Sequence, residues 1–347
     1  GKMLGMYNKQ SRSCLLIQPA KHRNPSLQPP PTVLGIPLLQ TKLQTPSNRG
    51  SQVPRDDLIR QLDAGFEEHR PLALIIAPAG SGKTTLLSQW LLQTDISAAW
   101  VSLDQEDNDP ARFWTYVCAA LQSLDVTLAR RAGQLLQSAQ PPSDEAFLNT
   151  LLNEINGFAG RFCLVLDDYH LIEDASLQRA ITYFIDHMPA PMQLVLSSRI
   201  DPALPLARLR AHGDVTEIRA ADLAFSDVEA AAFLTDIMKL ELPLEAAAAL
   251  TTRTEGWAAG LQLAALALRG RADYNGIFQE LTGGYRYLMG YFVDEVLLRQ
   301  PETVQQFLLK TSILQRLCGP LCDAVTGEAD SHAMLEILLR DNLFTVS

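Results

Sequence analysis

Apolar residues along the chain fall into two regimes that change near residue 221. Up to that point short, continuous apolar runs alternate with stretches of helical spacing. The runs Leu72–Ala77, Ala98–Leu103, Phe162–Leu166, Gln193–Ser197 and Val215–Arg219 predict five strands. Between and before them the spacing predicts helices over Asp57–Glu68, Lys83–Gln93, Pro110–Leu124, Asp144–Asn156, Ala175–His187 and Leu204–Ala211. Asp109 followed by Pro110 is a cap and a first-turn proline, a helix start written into the chain. Buried strands alternating with helices predict an α/β fold, a parallel sheet with helices on both faces. Past residue 221 the strand pattern stops. Ser226 with Glu229 three residues on reads as a capping box. It opens helices at about 226–239, 245–253 and 257–269. A glycine-rich break at 270–284 leads to helices near 286–299, 301–311 and 331–340. The last residues, Leu343–Val346, read as an extended segment cut short, because a lone strand needs a partner. Residues 1–50, with Pro29-Pro30-Pro31 and many Gln and Ser, show no sustained period and read as a mostly flexible leader. The expected units are 1–50, 51–221, 222–284 and 285–347.

Composition changes this picture little. The chain has 347 residues, 47% hydrophobic and 20% charged, enough for two or three compact units. No apolar run reaches the length of a membrane span. The Leu15-Leu16-Ile17 patch is too short for a signal-peptide core. Five cysteines, Cys14, Cys118, Cys163, Cys318 and Cys322, are odd in number and scattered. Cys118 and Cys163 sit in apolar patterns, as buried thiols do in a reducing compartment, so the cytoplasm is expected. Cys318 and Cys322 read as core. A net charge of −10 argues against a stand-alone nucleic-acid binder.

The chemistry lies at the strand ends. Ala77-Pro78-Ala79-Gly80-Ser81-Gly82-Lys83-Thr84-Thr85 follows a buried strand and opens a helix, the setting of a P-loop. Glycines let the backbone wrap a phosphate, and the N–H groups of Pro78–Thr85 at the helix start form an anion nest, proline excepted. Lys83 is expected to neutralise the β- and γ-phosphates, and the Thr84 hydroxyl to ligate Mg²⁺. Ala77 stands where a first glycine is usual. Phe162–Leu166 then delivers Asp167 and Asp168 at the sheet edge where ligands bind. Asp167 fits the Mg²⁺ side, and Asp168 fits the group that orients or deprotonates the attacking water. Arg199, at the tip of the next strand, is placed to reach a γ-phosphate. His170 reads as a structural hydrogen-bonding residue. Two adjacent acids, a further strand (98–103) between P-loop and aspartates, and the lack of an Asn-Lys-x-Asp motif favour ATP over GTP. No Cys-x-x-Cys pair, metal-spaced histidines or Gly-x-Ser-x-Gly elbow supports another chemistry.

Beyond these motifs the chain resembles the ATPase portion of the MalT-like, large LuxR-type transcription regulators, a branch of the signal-transduction (STAND) P-loop ATPases. The resemblance runs from about Thr41 to Ser347. It is carried by Thr41-Lys42-Leu43, Val53-Pro54-Arg55, Leu86-Leu87-Ser88-Gln89-Trp90, Trp100–Asp104 with Asp107–Pro110, and Leu166–His170. Ser198-Arg199 with Asp201-Pro202, Leu204–Arg210, Arg253–Gln262, Asp294-Glu295-Val296 and Asn342-Leu343-Phe344 complete it. It implies a nucleotide-binding domain of the ASCE type, a helical domain and a truncated winged-helix domain. It also implies ADP held in the resting state, with inducer binding and exchange for ATP leading to self-association. The inducer would act through C-terminal sensor repeats, and DNA would bind through a C-terminal helix-turn-helix, both absent here. Val53 and Arg55 fall where related ATPases hold the adenine, and Gly256-Trp257-Ala258 falls near a Gly-x-Pro turn that faces the nucleotide, without its proline. A regulatory switch with slow ATP hydrolysis is therefore expected. The alternative is a scaffold that holds its nucleotide only as a structural staple. A small-molecule kinase is disfavoured because no arginine-rich lid segment is evident.

Overall fold

The computed structural model describes residues 32–33, 36–47, 52–138, 143–268, 290, 293, 297–298, 300–314 and 317–340. A two-residue ladder, β1 (Thr32–Val33) with β2 (Ile36–Pro37), precedes the main sheet. That sheet comprises β3 (Leu72–Ile76), β4 (Ser97–Ser102), β5 (Phe162–Asp167), β6 (Met192–Ser198) and β7 (Val215–Arg219). Every pairing is parallel, in the order β4-β5-β6-β3-β7. All C-terminal ends therefore share one edge. The strand that parts the P-loop strand from the aspartate strand in space is β6. The strand lying between them in sequence, β4, sits at the outer edge.

The two-residue period of the strands feeds two cores. Leu72, Leu74 and Ile76 face one cluster with α3 (Pro110–Leu124), α5 (Asp144–Asn156), α6 (Ala175–Asp186) and α7 (Leu206–His212). Ala73, Ile75 and Ala77 face the other with α1 (Asp56–Glu67) and α2 (Lys83–Gln93). Cys118 and Cys163 are fully enclosed. Burial pushes both thiols up, Cys163 to about 12. The loop before α5 carries a helix the spacing does not predict, α4 (Arg130–Leu136). Its start has no capping side chain of its own. Glu154 of α5 accepts instead from Arg131 N–H at 3.0 Å and Ala132 N–H at 3.1 Å.

After β7 come α8 (Ala220–Leu223), whose Leu223 joins the second core, and then α9 (Asp227–Ala232), α10 (Leu244–Thr254) and α11 (Ala258–Leu268), sharing a third core. The Ser226–Glu229 capping box is present. The helix expected over 226–239 is not uniform: α9 passes into a π-helical turn, Phe233–Ile237, closed by Met238 N–H to the Phe233 carbonyl at 2.9 Å. A fourth core joins α12 (Glu302–Thr311), α13 (Gly319–Thr326) and α14 (Ser331–Arg340). Helix α13 stands where the four-residue spacing of Cys318 and Cys322 suggests a helix or a turn. Cys322 is buried in it, whereas Cys318, at its N-cap, is exposed rather than core. Residues 1–31, the break at 270–284, Asp294-Glu295-Val296 and the closing Leu343–Val346 segment lie outside the described residues.

The stretch read as leader contains packed residues. Leu38 joins the first core, and Lys42 is only 7% exposed. Lys42 Nζ is paired with the fully buried Asp107 and, at 2.9 Å, with Asp104, and lies 4.3 Å from the Tyr116 ring centroid. A buried ammonium needs such partners. Replacing Asp107 with Ala strips Lys42 and the 3.0 Å Arg112 contact of their shared carboxylate. The expected cost is about 3–5 kcal/mol of unfolding free energy, read by urea denaturation. A change under about 1 kcal/mol would show that the ion pair does not hold this segment.

Candidate nucleotide-binding site

The β3–α2 turn forms the P-loop with the backbone that its sequence demands. Gly80 and Gly82 both have positive φ, +72° and +87°, and Gly82 is the residue before the first turn of α2. An L side chain at Gly82 would be strained there although nothing crowds it. Ala77 needs no such freedom. It continues the strand, donating its N–H to the Ser198 carbonyl at 3.2 Å, which explains why a small side chain replaces glycine. Lys83 folds back over the loop, its Nζ donating to the Ala77 carbonyl at 2.8 Å and the Pro78 carbonyl at 3.0 Å. Burial brings its pKa down to about 8, with Arg199 lowering it further and Asp168 and Asp167 holding it up.

Asp167 ends β5 and is 3% exposed. It accepts from the Ser197 hydroxyl of β6 and, at 2.9 Å, from the Thr84 hydroxyl of α2. Burial, then the neighbouring Asp168 charge, pushes its carboxyl above the usual range, against those hydrogen bonds and Lys83. Asp168 turns the chain with φ +60°, its N–H donating to Ser197 Oγ at 3.1 Å, and its carboxylate faces the cleft. His170 is mostly buried beside it, Nδ1 lying 3.8 Å from Asp168 Oδ1.

A cleft of about 460 Å³ opens over the loop, within the usual range for ligand sites. Of the residues singled out in the sequence, Val53, Arg55, Ala79 through Thr85, Asp168 and Arg199 line it. Pro78 and Asp167 stand behind the lining. Thr84 and Asp167 offer two oxygen donors side by side. That suits Mg²⁺, which takes few protein ligands and completes its shell from phosphate and water. Arg55 lines the cleft, but its guanidinium also ties it to the following unit. It donates to the Asp222 and Leu223 carbonyls at 2.8 and 3.0 Å, pairs with Glu229 at 3.3 Å and sits over the Phe225 ring. The Val53 carbonyl accepts from Gln89 Nε2 at 2.9 Å, which fixes the entering chain to α2.

The opposite wall was foreseen only in part, through the likeness of Gly256-Trp257-Ala258 to a turn that faces the nucleotide. It comes from the helical unit: Leu223, Phe225, Phe233 and Ile237, with Ala258, Ala259 and Gln262 at the start of α11. Aromatic residues flanking the Ser226–Glu229 box were visible in the chain, but their folding back across the cleft was not. Trp257 does not line the cleft. Its Nε1 donates to the Ala79 carbonyl at 2.9 Å, and the N–H of Ala259, itself part of the wall, donates to the Gly80 carbonyl at 3.0 Å, so the helical unit holds two successive loop carbonyls.

Comparison with known proteins agrees with this architecture. Residues 53–197 match the AAA ATPase domain, and residues 293–347 match the MalT winged helix domain. The chain is 35% identical over 317 residues to the serine/threonine-protein kinase PknK of Mycobacterium tuberculosis, covering 90% of this chain and 28% of that protein. It is 36% identical over 312 residues to the HTH-type transcriptional regulator MalT of Yersinia enterocolitica, covering 88% of this chain and 34% of that one. The chain thus spans about a third or less of the length of these relatives. Among solved structures, a Walker-type ATPase of Pyrococcus abyssi shares the fold, with a TM-score of 0.52 at 15% identity, over 86% of this chain and 93% of that one. The P-loop on a sheet of order β4-β5-β6-β3-β7, with both domain matches in sequence, makes this chain a MalT-like P-loop ATPase module: an AAA ATPase domain followed by a MalT winged helix domain.

Proposed function

We propose that this module is an ATP/ADP-operated switch with slow hydrolysis, serving a transcription activator in the cytoplasm. Exchange of ADP for ATP would open it and permit self-association. An inducer and DNA would be engaged through parts of the whole protein beyond this chain. The observation that supports the reading is the composition of the cleft: one wall is the P-loop, the other the helical unit. A ligand bound between two bodies biases their arrangement by its differential affinity, and rapid turnover adds nothing to that. Val53, Arg55 and the apolar wall suit a purine, the loop N–H groups and Lys83 suit phosphates, and Thr84 with Asp167 suits Mg²⁺, which would supply charge neutralisation at the phosphates.

Chromatography of the nucleotide released on denaturation is expected to yield ADP. Lys83→Ala is expected to weaken ADP binding about 10- to 150-fold, the worth of charge-assisted hydrogen bonds. A guanine nucleotide, or unchanged ADP affinity in Lys83→Ala, overturns the reading.

The depressed Lys83 pKa sets a pH dependence. Phosphate favours the protonated lysine, so binding raises that pKa from about 8 and takes up protons. ADP affinity is expected to hold below pH about 8 and fall above it, by up to tenfold per pH unit. Lys83→Arg, which does not titrate there, should flatten the profile. Calorimetry in buffers of different ionisation enthalpy measures the proton uptake directly.

For hydrolysis, Asp168→Asn is expected to slow ATP turnover by about 10²- to 10⁴-fold with ADP affinity little changed. A parent-like single-turnover rate would remove Asp168 from the proton-handling role.

A further inference from the structure

The helical unit touches the P-loop at two successive carbonyls, and this contact has a chemical consequence for the loop's N–H groups. The turn before α11 is tightly held. Glu255 and Gly256 both have positive φ, and the Phe225 N–H donates to the Gly256 carbonyl at 2.8 Å. A Cβ on Gly256 would lie 2.5 Å from the Phe225 carbonyl oxygen. Trp257 leaves this turn half-buried, and its indole lies against the bare flank of Gly260, where a Cβ would come 2.7 Å from Cε3. The indole is thereby aimed at the Ala79 carbonyl, 2.9 Å from Nε1. One residue on, the Ala259 N–H holds the Gly80 carbonyl.

A trans peptide group is planar, with its C=O and N–H pointing in opposite directions. The peptide whose oxygen Trp257 holds carries the N–H of Gly80. The peptide whose oxygen Ala259 holds carries the N–H of Ser81. Gly80 and Ser81 both line the cleft. Fixing the two oxygens against the helical unit therefore fixes the direction of two N–H groups of the loop, each pointing away from its held oxygen.

We propose that Trp257 is a positioning residue of the phosphate-binding loop: it orients the Gly80 and Ser81 amides by holding the Ala79 carbonyl, and so makes phosphate affinity depend on the placement of the helical unit. This rests on the nucleotide-binding reading above and extends it. Trp257 does not line the cleft and acts through the loop. Two substitutions perturb it in opposite chemical ways. Trp257→Phe keeps an aromatic ring, smaller than the indole, and removes the N–H. Gly260→Ala keeps the tryptophan but displaces its ring, while raising the intrinsic helix propensity of α11.

The test uses the 347-residue chain, fluorescently labelled ADP with Mg²⁺, thermal unfolding without nucleotide, and intrinsic emission. Of the four tryptophans, Trp90, Trp100 and Trp114 are each at most 5% exposed within the sheet cores, which leaves Trp257 as the one beside the loop. The expected result is a roughly three- to tenfold weaker ADP affinity in both variants, the loss of about one hydrogen bond. Gly260→Ala should show it without a lower melting temperature. Adding ADP to the parent should shift tryptophan emission, and the shift should vanish in Trp257→Phe. Parent-like affinity in both variants, or an emission shift that survives Trp257→Phe, overturns the role of Trp257 and leaves nucleotide binding standing. No ADP binding by the parent chain overturns both.

Discussion

A carboxylate buried at the end of a strand must be given donors, and Asp167 draws them from two other elements. Ser197 on β6 and Thr84 on α2 each donate to it. This interaction requires β6 to lie beside β5, and α2 to begin at the same sheet edge, the arrangement that the order β4-β5-β6-β3-β7 supplies. The P-loop then has no freedom to sit elsewhere: β3 pairs with β6 from Leu72↔Leu194 to Ile76↔Ser198, and Ala77 extends that pairing by one hydrogen bond. Asp167 is thus a structural pin. Its raised pKa reflects the cost of that position, since burial and Asp168 both disfavour its charge.

The charges around the loop suit an anion. Lys83 spends its donors on two carbonyls of its own loop, Ala77 and Pro78. Carbonyls satisfy an ammonium's hydrogen bonds but not its charge, so burial lowers the pKa towards 8. Asp168 and Arg199 line the same cleft with opposite signs. An anion entering there recovers electrostatic energy that the loop alone leaves unused.

What the chain made legible is local. The strand–turn–helix of residues 72–93, the aspartates closing β5 and the arginine after β6 are each encoded within a few neighbouring residues, and a parallel sheet brings strand ends together automatically. What it concealed depends on distant partners. Lys42 is buried in a Pro-rich stretch because Asp107, 65 residues away, receives it. Helix α4 starts without a cap because Glu154 caps it from α5. The π-helical turn at Phe233–Ile237 has no pattern distinguishing it from the end of an α-helix. Its place in the cleft is decided by packing against Phe225, which Arg55 holds from the other side. Periodicity also could not tell that Trp257 reaches the Ala79 carbonyl of the P-loop, since a core tryptophan at a helix start reads the same way.

The magnitude of the contact between loop and helical unit limits what it can do. Two hydrogen bonds to the Ala79 and Gly80 carbonyls contribute about 1–3 kcal/mol together. Driving a two-state equilibrium from one extreme to the other takes about 5.5 kcal/mol. The carbonyl contacts could therefore bias the helical unit in the proposed switch but not hold it against the nucleotide. In such a switch the remainder would have to come from surfaces that part together with them. Two are at hand. One is the apolar wall of Phe225, Phe233 and Ile237 across the cleft. The other is the side chain of Ala79 itself, which packs in one core with Val304, Phe307, Cys322 and Leu338. Ala79 thus meets the cleft, Trp257 and the C-terminal helices within a single residue. A displacement of the loop backbone by bound phosphate would be felt by all three at once. That is a stronger reason for the small side chain at this position than the geometry of the loop alone.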